Sequence, residues 1–125
     1  MEQILGNSDI ANWIGNKSTS TGLIDIMNAK LINSTIGTNP NESFKKGDAL
    51  PPLWHWFAFP SPTHLNQLSD DGHPRHVGYI PPQNLTRRMW ASGSLTFHSD
   101  LKIGEEITKD TTLLDIKEKK SQSGE

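Results

Sequence analysis

The sequence predicts an α+β fold, on three observations. A helical apolar repeat runs over residues 25–37, a two-residue alternation runs over 92–101, and a second strand-like stretch follows at 107–119. One well-formed helix and a hairpin, in a chain of 125 residues, suit a single domain with a core.

Residues 1–15 hold Ile4, Leu5, Ile10, Trp13 and Ile14. That spacing predicts a short amphipathic helix that docks Trp13 and ends at Gly15. NKSTSTGLI (16–24) is polar and β-branched and predicts an edge or leading strand. In DIMNAKLINSTIG (25–37), Asp25 is a good N-cap, because its side chain can accept from free backbone N–H groups. Ile26, Ala29, Ile32 and Ile36 recur at three- and four-residue steps, with Met27 and Leu31 beside them. Gly37 is a natural stop. Apolar around more than half its girth, this helix is expected to be well wrapped.

TNPNESFKKGD (38–48) is a surface loop by composition. In ALPPLWHWFAFPSP (49–62), Pro51 and Pro52 stop any helix, and a strand here would be bulky on both faces. Residues 60–88 carry five prolines (60, 62, 74, 81 and 82) and predict a long loop, the kind that is usually either functional or disordered. In SGSLTFHSDL (92–101), Leu95 and Phe97 share one face of the predicted strand, and Ser94, Thr96 and His98 the other. KIGEE turns at Gly104 into ITKDTTLLDIKEK (107–119), which completes the hairpin. KSQSGE (120–125) reads as another turn, with no third strand after it. An unshielded last strand is a liability. The sequence is therefore expected to be a fragment, or a subunit whose edge something else completes.

Composition narrows the function. The net charge is −2 and the twelve basic residues are mostly scattered, unlike the basic face of a nucleic-acid binder. No apolar run approaches the roughly 20 residues of a membrane span, and the first residues lack the pattern of a signal peptide. With no cysteine, disulfides, thiolate nucleophiles and zinc–sulfur sites are excluded. A cytoplasmic location is expected. Only 33% of the residues are hydrophobic, lean for a self-sufficient globule, so a partner surface is expected to complete the fold.

Several groups could carry chemistry, and each has a plainer reading. His73 and His76 have a spacing that zinc sites use, but three or four ligands are needed, and only Asp70 and Asp71 are near. Two solvated loop histidines is the preferred reading. No serine lies in a glycine-flanked nucleophile elbow, and no glycine-rich phosphate loop exists. No metal and no cofactor is expected. Trp54, His55, Trp56 and Phe57 form the densest aromatic cluster. It reads first as core, and second as the wall of an apolar pocket with His55 as polar anchor. Arg87 and Arg88 precede Met89 and Trp90, where an arginine can hold a carboxylate or phosphate bidentately but is more often solvated. His98 reads as an inward histidine, since catalysis by a lone imidazole needs an orienting partner.

GDALPPLWHWFAF (47–59), DGHPRHVGYIPPQNLTRRMWASGSLTFHSDLKIGEEIT (71–108) and LLDIKEKKSQSGE (113–125) together resemble the N-terminal half of MaoC-like two-hotdog acyl-CoA hydratases. The resemblance falls nearest the group of mesaconyl-C4-CoA (3-methylfumaryl-CoA) and itaconyl-CoA hydratases, itself similar to the hydroxyacyl-thioester dehydratase type 2 proteins. It covers most of residues 10–125, and is most specific at Arg88, Met89, Trp90, Gly93, Leu95, Phe97 and His98. It implies a hotdog fold, an antiparallel sheet around the helix near 25–37, incomplete at the C-terminus, with 1–125 as the N-terminal MaoC-like domain.

The resemblance also implies a hydro-lyase acting on a short branched or dicarboxylic acyl-CoA, partnered by a second hotdog domain or subunit. Enzymes of this superfamily use an Asp/His or Asn/His pair on the hotdog helix and its leading loop, and two-hotdog members carry it in the second half. GLIDIMNAKLIN has Asp25 but no histidine, so no catalytic residue is carried over and Asp25 stays an N-cap. Trp54, His55, Trp56, Arg88, Trp90 and His98 become candidate substrate-lining or bracing residues. The alternative from another class is a non-enzymatic module that binds an acyl-thioester or small ligand in the Trp54–Phe59 cluster.

Overall fold

The computed structural model describes residues 7–82 and 88–119. In chain order the elements are α1 (Asn7–Ala11), β1 (Lys17–Gly22), α2 (Ile26–Ile36), two 3-10 helices (Trp54–Ala58 and Leu65–Gln67) and β2 (Ile107–Thr112). β1 and β2 pair as a two-stranded antiparallel sheet, which confirms an α+β architecture. The chain divides into two compact units. One holds residues 19–61 and 92–109, the other 1–18, 62–91 and 110–125.

The first unit contains the hydrophobic core of Ile24, Ala29, Ile32, Leu50, Ala58 and Ile103, with Phe44, Trp54, Phe59 and Ile107 packed against it. α2 forms where its local signals place it. The Asp25 side chain accepts from the Asn28 N–H at 2.7 Å, and the Asn28 side chain accepts from the Asp25 N–H in return. Such a cap contributes about 1 kcal/mol. Gly37 closes the helix, its N–H donating to the Asn33 carbonyl at 2.8 Å. Its φ of −74° is extended, so this is not the left-handed stop that glycine usually supplies.

The core is stitched by backbone bonds. Ile103 donates to the Asp48 carbonyl and accepts from the Gly47 N–H, both at 2.9 Å. Leu50 donates to Leu101 at 2.7 Å, and Gly104 to Ile24 at 2.8 Å. Lys109 places Nζ 5.0 Å from the centre of the Phe59 ring, a cation–π contact.

The second unit contains α1, the 3-10 helix Leu65–Gln67 and a tight turn at 67–75. The amphipathic helix predicted over 1–15 is described only as the short α1, followed by turns to Gly15, and Trp13 is half-buried. Ile4 and Leu5 lie outside the described residues. Pro81 is fully buried here.

Four expectations are corrected. α2 is not wrapped: only Ala29 and Ile32 are buried, while Met27 is 61% and Leu31 57% exposed. A two-stranded sheet has too little surface to cover a helix on all sides. Residues 92–101 are not a strand, and the predicted hairpin with 107–119 does not form. Alternation marks a chain suited to a sheet, but a strand exists only with a paired neighbour, and the described pairing of β2 is with β1. β2 itself stops at Thr112, short of 119. Residues 54–58 form a 3-10 helix instead of stopping all helical structure: the Pro51 carbonyl still accepts, and the Trp54 N–H donates to it at 3.2 Å. The turn expected at 120–125 lies outside the described residues.

Gly22 gives a test of this packing. A Cβ on Gly22 would lie 1.9 Å from the Ala58 carbonyl oxygen. Glycine in a strand is ordinarily weaker than alanine by about 0.5–1 kcal/mol. Here Gly22→Ala is expected to destabilise by about 1–3 kcal/mol, because backbone cannot yield as a flexible side chain does. Urea unfolding of the pair measures the sign, and a more stable variant would contradict the packing.

Candidate functional site

In the first unit, the aromatic turn begins at Leu53, whose φ of 73° places a branched side chain in the left-handed region. Backbone there costs an L-residue about 1–2 kcal/mol. The turn is fixed by Trp54 N–H donating to Pro51 and Trp56 N–H donating to Leu53 at 3.1 Å. Ala58 is buried and Trp54 half-buried, its ring 5.7 Å from that of Phe44. Trp54 thus braces the turn from the core side. The His55 ring meets Trp56 at 6.1 Å and Phe97 at 6.4 Å, edge-on at 73° in both cases. Trp56 is 60% and Phe97 55% exposed. Trp54 satisfies the core reading of the cluster, while His55, Trp56 and Phe97 form an open aromatic surface with one imidazole in it. Phe97 was not among the predicted site residues, and its partnership with His55 spans too much sequence to be read from spacing. His98 is exposed, which overturns the inward reading, because a segment without a sheet partner has no inward face.

In the second unit, Arg88 has a partner that the sequence did not point to. Its Nε lies 3.6 Å from Asp71 Oδ2, and its Nη2 donates to the Pro74 carbonyl at 3.4 Å. Asp71 also accepts from the His73 N–H at 3.0 Å and faces His73 Nδ1 at 3.2 Å. Gly72, at φ 81°, makes the turn that brings these groups together. The turn is closed by Ser69 N–H to His73 O at 2.8 Å and Arg75 N–H to Gln67 O at 3.0 Å, with Arg75 Nε on Leu68 O at 2.8 Å. The local signal was the Asp-Gly pair at 71–72, a common turn sequence. The preferred reading of two solvated histidines holds in exposure for both, although His73 is also paired to Asp71. No group of three or more potential metal ligands exists among the described residues. Trp90 is 80% exposed, and Arg87 lies outside the described residues. The six predicted residues therefore fall in two groups: Trp54, His55, Trp56 and His98 in one unit, Arg88 and Trp90 in the other.

The His73 N–H, above all, holds the Asp71 carboxyl below its ordinary range, helped by the charges of His73 and Arg88 against partial desolvation.

The profile of the hydroxyacyl-thioester dehydratase type 2 family matches residues 53–125, a span that takes in the aromatic turn, the Asp71–Arg88 loop and β2. The chain belongs to that family, a family of hydratases and dehydratases. It is 36% identical over 121 residues to mesaconyl-C(4)-CoA hydratase of Chloroflexus aurantiacus, across 96% of this chain. The chain spans only 42% of the length of that relative. No helix among the described residues is long and apolar enough to cross a membrane.

Two measurements check the geometry. Leu53→Gly relieves the left-handed backbone and is expected to stabilise the chain by about 1 kcal/mol in urea unfolding. A loss of stability would show that the Leu53 side chain contributes more than its backbone costs. By carboxyl-carbon NMR, Asp71 is expected to titrate below the ordinary aspartate range, held there first by the His73 N–H. Its lowered value means that its pairing supports the fold at neutral pH and is lost as pH falls through the folded-state midpoint. Arg88→Ala should raise that midpoint only part of the way, since the His73 N–H remains. Full return to the ordinary value would make Arg88 the main cause instead.

Proposed function

We propose that this chain is the N-terminal, non-catalytic half of an enoyl-CoA hydratase, equivalently a 3-hydroxyacyl-thioester dehydratase, for a short branched or dicarboxylic acyl-CoA. The observation that carries this reading is the 36% identity across almost the whole chain to a mesaconyl-C(4)-CoA hydratase of which it spans less than half. Residues 1–125 are then a MaoC-like hotdog domain, and the partners are the acyl-CoA and a second hotdog domain or subunit.

The chemistry explains why a second half is needed. Hydration adds the water oxygen to the β-carbon and a proton to the α-carbon, and negative charge develops on the thioester oxygen. That requires an acid–base group at the double bond and hydrogen-bond donors at the oxygen. The α2 sequence, IMNAKLINSTI, holds no histidine. Asp25, at its start, is committed to capping the Asn28 N–H. On this reading the acid–base pair is supplied by polypeptide outside this chain.

This half shapes and braces the acyl pocket. Trp54 anchors the aromatic turn to the core, and His55 and Trp56 offer a ring surface with one polar edge. His98 is a further candidate in that unit, and Arg88, which meets Asp71, and Trp90 are candidates in the other. An exposed guanidinium suits the second carboxylate of a dicarboxylic acyl group, which it can hold bidentately.

The test is hydration of mesaconyl-C(4)-CoA, followed as loss of the conjugated enoyl absorbance. The purified 125-residue chain is expected to give no turnover above the uncatalysed rate. Turnover by the chain alone would move the catalytic pair into it and overturn the assignment.

A further inference from the structure

We propose that Asp71–Gly72 is a self-modification site. The linkage there converts spontaneously to isoaspartate, and the turn around it, with His73 and Arg88, holds that conversion back.

The chemistry needs no other protein. The Gly72 backbone nitrogen bonds to Asp71 Cγ, the amide gives up its proton, and the protonated carboxyl loses one oxygen as water. A five-membered succinimide results. Water then opens the ring at either carbonyl. Addition at Cγ restores aspartate. Addition at the α-carbonyl leaves the backbone running through Cγ, with the free carboxylate on Cα. One water leaves and one returns, so the mass is unchanged and nothing is oxidised or reduced.

Ring closure is fastest where the attacking nitrogen has no side chain beside it. Asp71 is the one aspartate of the chain followed by glycine, and no asparagine precedes glycine. Asp71 and Gly72 are both exposed, so neither burial nor a bulky neighbour shields them.

The local structure opposes the reaction at both atoms. Residues 70–72 form a three-residue hairpin loop, with Leu68 bridged to Pro74 and the Ser69 N–H on the His73 carbonyl. The Gly72 N–H donates to the Ser69 carbonyl at 2.9 Å, and this bond must be lost when the nitrogen gives up its proton. The carboxylate is engaged separately. Oδ1 accepts from the His73 N–H, while Oδ2 faces His73 Nδ1 and Arg88 Nε. Loss of either oxygen breaks one of these contacts. The same partners, the His73 N–H first, hold the carboxyl below its ordinary range, so little of it carries the proton that ring closure needs. Conversion adds a backbone carbon inside the loop and moves the carboxylate that Arg88 meets.

The experiment incubates the full 125-residue chain near neutral pH for several weeks, folded and in guanidinium chloride. Isoaspartate is located by chromatography and electron-based fragmentation of its peptides. Asp71 is expected to convert in both samples, at least about tenfold more slowly in the folded chain. Arg88→Ala should speed conversion in the folded chain about twofold, because the His73 N–H remains, and leave the unfolded rate unchanged. Asp71→Glu should abolish conversion at this position, since its longer side chain closes a six-membered ring far more slowly. Equal rates in the folded and unfolded chain overturn the proposal. So does isoaspartate that forms first at another residue, or a folded-state rate that Arg88→Ala does not change. The comparison of folded with unfolded wild-type chain depends on no variant.

Discussion

The structure depends on the stitching of residues 101–104 into the core. Ile103 is fully buried, and its N–H and carbonyl both bond to the segment 47–48. Its neighbours hold Leu50 on one side and Ile24 on the other. Burying an isoleucine contributes about 1.5–3 kcal/mol, and four backbone bonds flank the buried side chain. Two chain segments far apart in sequence are fixed to each other at this point, and the leading edge of α2 is fixed with them through Ile24.

That anchor decides what the aromatic turn can present. Ala58 and Trp54 take the core side, while His55 is half-buried and Trp56 exposed. They face outward with Phe97, whose segment leads directly into the stitched residues. The left-handed backbone at Leu53 is the cost of entering so short a turn immediately after two prolines. The loop around Asp71 is built on another principle. It has little apolar burial and is ordered by hydrogen bonds and charge, so it responds to acid where the core does not.

Membership of a hydratase and dehydratase family agrees with this division of labour. The core is small, α2 keeps an uncovered apolar side, and the residues with chemical potential are exposed in two separate units.

The sequence by itself determined what depends on neighbours three or four residues apart. Asp25, Asn28 and Gly37 bound α2 through contacts within one turn, so the helix was legible to within a residue at each end. The polar β-branched run at 16–24 predicted the strand that forms as β1. The two-residue alternation at 92–101 was equally clear and still gave no strand, because alternation fixes only which side chains share a face. Whether the backbone pairs depends on what lies alongside, and the strand alongside β2 is β1. The partners of His55 and Arg88 were illegible for the same reason. Phe97 is distant in sequence from His55, and Asp71 meets Arg88 only because Gly72 turns the chain. Tertiary structure alone decided these contacts, since their geometry belongs to segments that share no local signal.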